Sequence, residues 1–346
     1  MTDTPRNLSP VLCDSIETYE RPHIIRLTDG IYAVCFSLMK LLPARHMIDQ
    51  GIASGFVTPG THIIETTSGT LGLGLAMVCA MRGLRLTIVT DPVVDRRFRN
   101  KLEALGAEID IVDEPSPYGG YQQARLDRLA LRSREIPDSF VPRQYDNPGN
   151  PASYTVVAEH LHEQVGHVDH LVGCVGSGGS MCGIARRLRE LSSPLQVHGI
   201  DTHGSMLFGM QDRPRTFRGL GNSLMPANLD HTTFDTIHWV NLNEAARGSL
   251  DLLRHEALFR GPTSGAAYLV GSWIKARHPS SSVAVIMPDE GERYLDTVYD
   301  PLWRELHASG AAAETPSVVT TPAQAQRAGT WSVMRWQRRN AWQTRT

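Results

Sequence analysis

An α/β fold, with parallel sheets divided between two lobes, is what this 346-residue chain predicts. Three observations carry that expectation. Short β-rich runs alternate with helix-length segments across residues 61–112, and the alternation resumes beyond a crossing rich in Pro, Asn and Gly at 142–151. Glycine-rich turns stand where several of the strands hand over to helices. Right-handed crossovers between such strands give parallel sheets with helices on both faces. The length suffices for two lobes with a shared cleft, and a hydrophobic content of 41% can fill their cores.

Taken in order, 61–66 reads as a strand, 71–82 as a helix, 84–90 as a strand, 96–105 as a helix and 108–112 as a strand. Past the crossing come a helix at 156–164, a strand at 170–175, a helix at 179–191 and a strand at 195–200. Later strands fall at 236–240 and 282–287, and a helix opens in the turn at 261–265 and runs to about 275. From residue 308 onward Ala, Thr, Pro and Gln dominate, and beyond 326 Trp331, Trp336 and Trp342 stand among Arg327, Arg335, Arg338, Arg339 and Arg345. Residues 308–346 are expected to form a flexible tail, the alternatives being a packing arm or a basic aromatic segment that touches nucleic acid or a partner.

A net charge of -2 gives no support to a global nucleic-acid footprint. Cys13, Cys35, Cys79, Cys174 and Cys182 are scattered with no C-x-x-C pair, so neither a disulfide framework nor a metal site is expected, and buried thiols in a reducing cytosol are. The polar segment 1–10 lacks an apolar signal-like core, and no uncharged run near 18 residues escapes interruption by glycine or polar groups. The expectation is a cytoplasmic protein with no membrane contact.

Lys40, Lys101 and Lys275 are the lysines among 34 basic residues, and Lys40 is the one charged residue in 31–42. An ammonium among Val34, Phe36, Leu38, Met39 and Leu41 is costly to bury charged, so its pKa falls and the free amine becomes a nucleophile, the setting of a Schiff-base lysine. A lysine that snorkels to water fits the same local pattern.

Three turns supply further candidates. Gly176, Ser177, Gly178, Gly179 and Ser180 follow an apolar strand and open a helix, where backbone N–H groups and the helix dipole favour a phosphate; a tight turn also needs glycine there. The stretch fits neither the G-x-G-x-x-G nor the P-loop pattern. Thr67, Ser68, Gly69 and Thr70 stand at a second strand-to-helix turn suited to a carboxylate, or to capping alone. Ser264, in the third turn, caps its helix or faces a ligand ring nitrogen, and the sequence does not choose.

Together these motifs resemble the pyridoxal-phosphate enzymes of the cysteine synthase, or fold-type II, group. The resemblance rests on Lys40 in Met-Lys-x-x-Pro-Ala, Thr-Ser-Gly at 67–69, Gly-Ser-Gly-Gly-Ser at 176–180, Gly-Leu-Gly at 219–221, Thr-Ser-Gly-Ala at 263–266 and Pro-Asp-Glu-Gly-Glu-Arg-Tyr-Leu at 288–295. Segments at 113–125, 144–147, 201–209 and 293–303 are most similar to the N-(2-amino-2-carboxyethyl)-L-glutamate synthases of siderophore pathways, which make a precursor of 2,3-diaminopropionate.

The resemblance implies a two-lobed, three-layer parallel-sheet fold of the tryptophan synthase β type. It places 1–43 with 142–307 in a larger cofactor-binding lobe and 44–141 in a smaller, mobile substrate lobe, and implies a homodimer. Lys40 would carry pyridoxal 5'-phosphate; Thr70, Gly176, Ser177, Gly178, Gly179, Ser180 and Ser264 would bind it; Thr67, Ser68, Gly69, Arg125, Gln144 and Tyr145 would bind small amino-acid substrates. The implied reaction is β-replacement on an O-activated serine such as O-phospho-L-serine, with an amine such as L-glutamate. Three departures stand out: Val34-Cys-Phe-Ser-Leu-Met39 replaces the family's Asn-Pro-x-Gly-Ser-x, Leu41-Leu42 replaces its Asp-Arg, and Thr70 replaces its Asn. Sulfur transfer, a nucleotide-binding oxidoreductase and a non-catalytic paralogue are the competing readings, the oxidoreductase lacking its fingerprint and any use for Lys40.

Overall fold

The computed structural model describes residues 15–215, 219–310 and 312–339; the polar segment 1–10, Cys13, Trp342 and Arg345 lie outside them. Twelve strands occur in chain order: β1 His23–Arg26, β2 Ile31–Cys35, β3 His62–Thr66, β4 Arg85–Thr90, β5 Ala107–Ile111, β6 Ser139–Phe140, β7 His170–Cys174, β8 Gln196–Asp201, β9 Thr236–Trp239, β10 Val283–Met287, β11 Ser317–Val318 and β12 Ser332–Arg335. They form two sheets, one of order β1-β2-β10-β7-β8-β9-β12-β11 and one of order β5-β4-β3-β6. The smaller sheet is parallel throughout. The larger is parallel across β2, β10, β7, β8 and β9, with antiparallel partners β1 and β12 at its flanks.

Both faces of the large sheet are covered, which is why its strands read as continuous apolar runs. Val34, Leu171, Val197, Ile237 and Ile286 enter one core with the helices Thr155–Val165 and Gly179–Leu191. Their neighbours Ile31, Ala33, Val172, Ile200 and Val285 point the other way, against the helices Leu242–Glu256 and Pro262–Arg277. The small sheet buries Ile63, Leu86 and Ile88 under Leu41–Ala53, Thr70–Arg82 and Arg96–Ala104, and Ile64 and Val89 against Leu129 of Gly120–Glu135. Local chemistry fixes several helix ends. Asp95 accepts from the Phe98 amide at 2.7 Å, Asn241 and Glu244 form a reciprocal capping box, and Gly83 closes its helix in the left-handed conformation.

The C-terminal segment departs from expectation. Residues 317–335 are no loose tail: β12 pairs with β9, β11 pairs with β12, and Pro322–Ala328 packs beside them. The alanine, threonine and glutamine of this region suggest mobility, but two tryptophans decide the matter. Trp331 is fully buried in one core and Trp336 is buried in the other, edge-on to Phe208. The Trp331 amide donates to the buried Glu244 carboxylate at 2.7 Å, and its indole N–H donates to His238 Nδ1 at 3.2 Å. Burying two indoles outweighs the ordering cost of the polar residues between them.

His238 continues a row of imidazoles across β7, β8 and β9. His170 Nδ1 and His198 Nε2 lie 3.0 Å apart, and the His198 and His238 rings are 6.1 Å apart. Burial pushes His238 down to about 3 and His198 well below the ordinary histidine value of 6.5. A histidine held neutral in the fold but free to charge when unfolded contributes stability above pH 6.5 and loses it progressively as pH falls toward its folded pKa. Between pH 6.5 and 4 that loss amounts to about 3 kcal/mol for His238. His238→Leu should therefore gain about 3 kcal/mol on the wild type in denaturant melts run at pH 4 instead of pH 7; a pH-independent difference would show that the ring titrates normally. Trp331→Ala should cost roughly 3–5 kcal/mol, and an unchanged melting temperature would mean that the arm does not dock.

Candidate active site

Lys40 closes the turn between β2 and the helix Leu41–Ala53, at the junction of all three cores. The turn is held by backbone bonds: the Phe36 and Met39 amides donate to the carbonyls of Met287 and Pro288, both at 2.9 Å. Arg260 Nη1 donates to the Phe36 carbonyl at 2.8 Å, and Ser37 Oγ donates to Glu290 at 2.7 Å. The large residues that depart from the family's pattern before Lys40 pack into the cores. Phe36 and Met39 enter one core, Cys35 a second and Leu38 a third.

Burial lowers the Lys40 ammonium to about 8, with no charged group among the causes, and its Nζ donates to Ser177 Oγ at 3.3 Å. Lys40 is half-buried as a whole, and its amine is turned onto Ser177. Glycine at 74 makes this possible. A Cβ there would stand 2.9 Å from the Lys40 carbonyl and 3.1 Å from Leu41 Cα, so the helix Thr70–Arg82 lies directly against the lysine's backbone.

That helix carries the second turn. Gly69 is its N-cap, its amide receives no capping side chain from within the helix but donates to Thr67 Oγ1 at 3.0 Å, and Thr67 is anchored to the Val89 carbonyl at 3.1 Å. Ser68, Gly69 and Thr70 remain half-exposed at the helix N-terminus, where the dipole favours an anion.

The third element is Gly176–Ser180, which leaves β7 and starts the helix Gly179–Leu191 with Gly178 as N-cap. Gly178 has φ +83°, and a Cβ on it would meet Leu229 Cα at 2.6 Å. Gly179 has its Cβ space filled by the Asn150 carboxamide, so this glycine serves packing whether or not an anion binds. Gly176 is open, with its nearest atom the Gly219 carbonyl oxygen at 3.9 Å. At the end of the same strand Cys174 Sγ donates to the Thr263 carbonyl at 3.3 Å, which brings the start of Pro262–Arg277 alongside. Ser264 there is fully buried and its hydroxyl has no hydrogen-bond partner. An orphaned buried hydroxyl costs free energy unless a ligand completes it.

The substrate-side candidates meet at the edge of the small sheet. Gln144 donates through Nε2 to the Thr66 carbonyl at 3.0 Å and through its amide to Glu65 at 3.2 Å, so it ties two segments together and has little left for a ligand. Glu65, with burial pushing it up to about 7, and Asn150 are site residues that motif matching missed. Glu65 was visible as the one acid in the apolar run at 61–66; Asn150 gave no signal beyond its place in Asn-Pro-Gly-Asn-Pro. Arg125 is buried, pairs with Asp91 at 3.5 Å and donates to the Tyr121 carbonyl at 3.4 Å, while its Nη1 has no hydrogen bond. Tyr145 lies near Arg125 and Glu65; burial pushes its phenol up and the Arg125 charge opposes the shift.

A family model described as pyridoxal-phosphate dependent enzyme matches residues 39–289, a span that contains Lys40, the three turns, Arg125, Gln144 and Tyr145. An N-(2-amino-2-carboxyethyl)-L-glutamate synthase from Ralstonia nicotianae is 36% identical over 315 residues, covering 86% of this chain and 91% of that protein. Its counterpart from Cupriavidus metallidurans is 36% identical over 286 residues, covering 81% and 83%. Among solved structures, a cysteine synthase from Entamoeba histolytica aligns with TM-score 0.75 and 25% identity over 86% of this chain and 93% of its own. An O-acetylserine dependent cystathionine β-synthase from Helicobacter pylori aligns with TM-score 0.76 and 25% identity over 84% and 99%.

The glycine contacts separate packing from ligand approach. Gly178→Ala, with a left-handed backbone and a blocked Cβ, should cost about 2 kcal/mol or more in denaturant melts. Gly176→Ala should stay within about 0.5 kcal/mol of the wild type; equal losses in the two variants would contradict the contacts described.

Proposed function

The chain belongs to the family of pyridoxal-phosphate dependent enzymes, and from that premise we propose β-replacement on an O-activated L-serine, with an amino-acid amine as the incoming nucleophile. Pyridoxal 5'-phosphate is its cofactor. The donor we favour is O-phospho-L-serine and the acceptor L-glutamate. The observation that carries this choice is the buried Arg125 guanidinium, whose Nη1 lacks a hydrogen bond beside Tyr145. A fork with one prong unused suits a phosphate or carboxylate. The two N-(2-amino-2-carboxyethyl)-L-glutamate synthases at 36% identity support glutamate as the acceptor.

The residues present fit the cofactor: a buried amine lowered to about 8, a glycine turn at a helix N-terminus, and an unsatisfied buried hydroxyl. In this reading Lys40 would hold the cofactor covalently, Gly176 to Ser180 would hold its phosphate, Thr70 would serve its ring hydroxyl and Ser264 its ring nitrogen. The bound cofactor supplies an electron sink for charge developing at the substrate Cα. The Lys40 amine would take the Cα proton as the Cβ–O bond to the leaving group breaks, and would return a proton to Cα once the incoming amine has bonded to Cβ, the amine losing one of its own protons. Thr67, Ser68 and Gly69 bind the substrate carboxylate at the helix N-terminus. The buried, unpartnered Ser264 hydroxyl would meet the ring nitrogen as a neutral group, where a carboxylate would bring a charge. Gln144 contributes by holding Thr66 and thereby the turn that follows it. Of the described residues, those within 1–43 and 142–307 would form the cofactor lobe and 44–141 the moving substrate lobe, with a homodimer as the working unit; residues 1–14 and 216–218 lie outside the described ones. Among the described residues no helix is long and apolar enough to cross a membrane; a cytoplasmic setting accords with the free thiols of Cys35, Cys79, Cys174 and Cys182.

Borohydride reduction of the loaded protein should fix the cofactor on Lys40, and its recovery on Lys101 or Lys275 would end the assignment. Incubation with O-phospho-L-serine and glutamate should yield a β-N-linked diaminopropionate product by mass spectrometry, whereas an S-linked product with sulfide alone would favour sulfur transfer. Arg125→Lys, which keeps the charge beside Asp91 and loses the planar fork, should raise the KM for the phosphorylated donor about tenfold or more with cofactor content unchanged.

A further inference from the structure

Asn150 is completely buried between the glycine turn and the crossing segment. Its Nδ2 donates to the Gln144 carbonyl at 2.6 Å and to Ser177 Oγ at 3.3 Å. A carbonyl only accepts, so the nitrogen end of the carboxamide must face Gln144, and both of its hydrogens are spent. The Gln144 carbonyl also receives Asn228 Nδ2 at 3.0 Å, so Asn150 is dispensable there. Its bond to Ser177 has no such substitute. The turn is shaped to admit it, since a Cβ on Gly179 would stand 2.6 Å from Asn150 Cγ.

Ser177 Oγ is thus met by Asn150 Nδ2 and by Lys40 Nζ, each at 3.3 Å. A hydroxyl offers two lone pairs and one hydrogen. The amide nitrogen can only donate, so Asn150 occupies a lone pair whatever the state of Lys40. Against a charged Lys40 the hydroxyl must accept with the second lone pair; against a neutral amine it can donate its own hydrogen to the nitrogen. An N–H directed at the oxygen polarises the O–H bond, which weakens the oxygen as an acceptor and strengthens the hydrogen as a donor. We propose that Asn150 is a positioning residue that sets the Ser177 hydroxyl as a hydrogen-bond donor to the uncharged Lys40 amine, keeping that amine ready for bond formation. Lys40 is lowered by burial alone, so neutral neighbours of this kind decide its remaining balance. The inference rests on the cofactor-bearing role given to Lys40 above.

The test reads the amine itself. Trace acetylation of the full-length, cofactor-free protein across pH 6 to 10, with mass spectrometry of the Lys40 peptide against those of Lys101 and Lys275, gives the titration midpoint of each lysine. Asn150→Ala should move the Lys40 midpoint upward and cut its labelling at pH 7 by about threefold to tenfold. Asn150→Leu, which keeps the volume, should do the same, so a packing defect or misfolding of the smaller variant is recognised by circular dichroism and by the disagreement of the two. In a Ser177→Ala background neither substitution should move the midpoint further. Equal shifts in both backgrounds, or no shift in either variant, would overturn the proposal. Borohydride mapping to another lysine would instead remove the role of Lys40, and the labelling cycle would still report whether Asn150 acts through Ser177.

Discussion

Withdrawal of the Lys40 amine from water is the constraint on which the rest of the site depends. An ammonium is buried at a cost that grows with the loss of solvent, and a lysine relieves it by giving up its proton. Here nothing charged repays that cost, and the amine falls to about 8. Such an environment needs walls on every side. They come from the large sheet through β2 and β10, from the helix Thr70–Arg82 through Gly74, and from the turn after β7 through Ser177. Two of these walls belong to the large sheet and the third packs against the small one, so the site exists only when the two sheets are docked.

The docking is itself visible at the rim. Ser223 donates its amide to Gln122 Oε1 at 3.2 Å, Arg97 pairs with Asp296 at 3.0 Å, and the Arg293 guanidinium lies 4.4 Å from the Phe98 ring centre. The Arg97 pair is exposed and contributes little to stability. Contacts of this strength join the two sheets only weakly at the rim. By contrast Gln144, clamped between Glu65, Thr66 and Asn228, is built to stay where it is.

The parallel architecture was legible in the sequence because buried strands are continuous apolar runs and their helices begin at glycine turns; β3, β4, β7, β8 and β10 fall within a residue or two of expectation. Short edge elements were not. β1, β6 and β11 are two to four residues long and owe their form to a neighbouring strand, a nonlocal cause that leaves no local period. The C-terminal arm misled for a related reason: composition describes the average of a segment, whereas docking is decided by Trp331 and Trp336. In the site, lysine, glycine and hydroxyl residues announced themselves by spacing. Asn150 did not, since an asparagine between prolines reads as a turn until its burial is known.

The replaced segment before Lys40 shows how far substitution can go without moving the amine. The family's Asn and Ser give way to Val34 and Leu38 and its Pro to Cys35, yet these side chains, with Phe36 and Met39, are absorbed into cores that flank the turn. The backbone keeps its place through bonds that do not depend on side-chain identity, from the Phe36 and Met39 amides to Met287 and Pro288 and from Arg260 to the Phe36 carbonyl. With those large side chains turned into the cores, Ser177 is the hydroxyl in contact with the amine. The burden of orienting the lysine then passes to the glycine turn and to the carboxamide packed beneath it, so the departures at 34–39 and the burial of Asn150 are two sides of one arrangement.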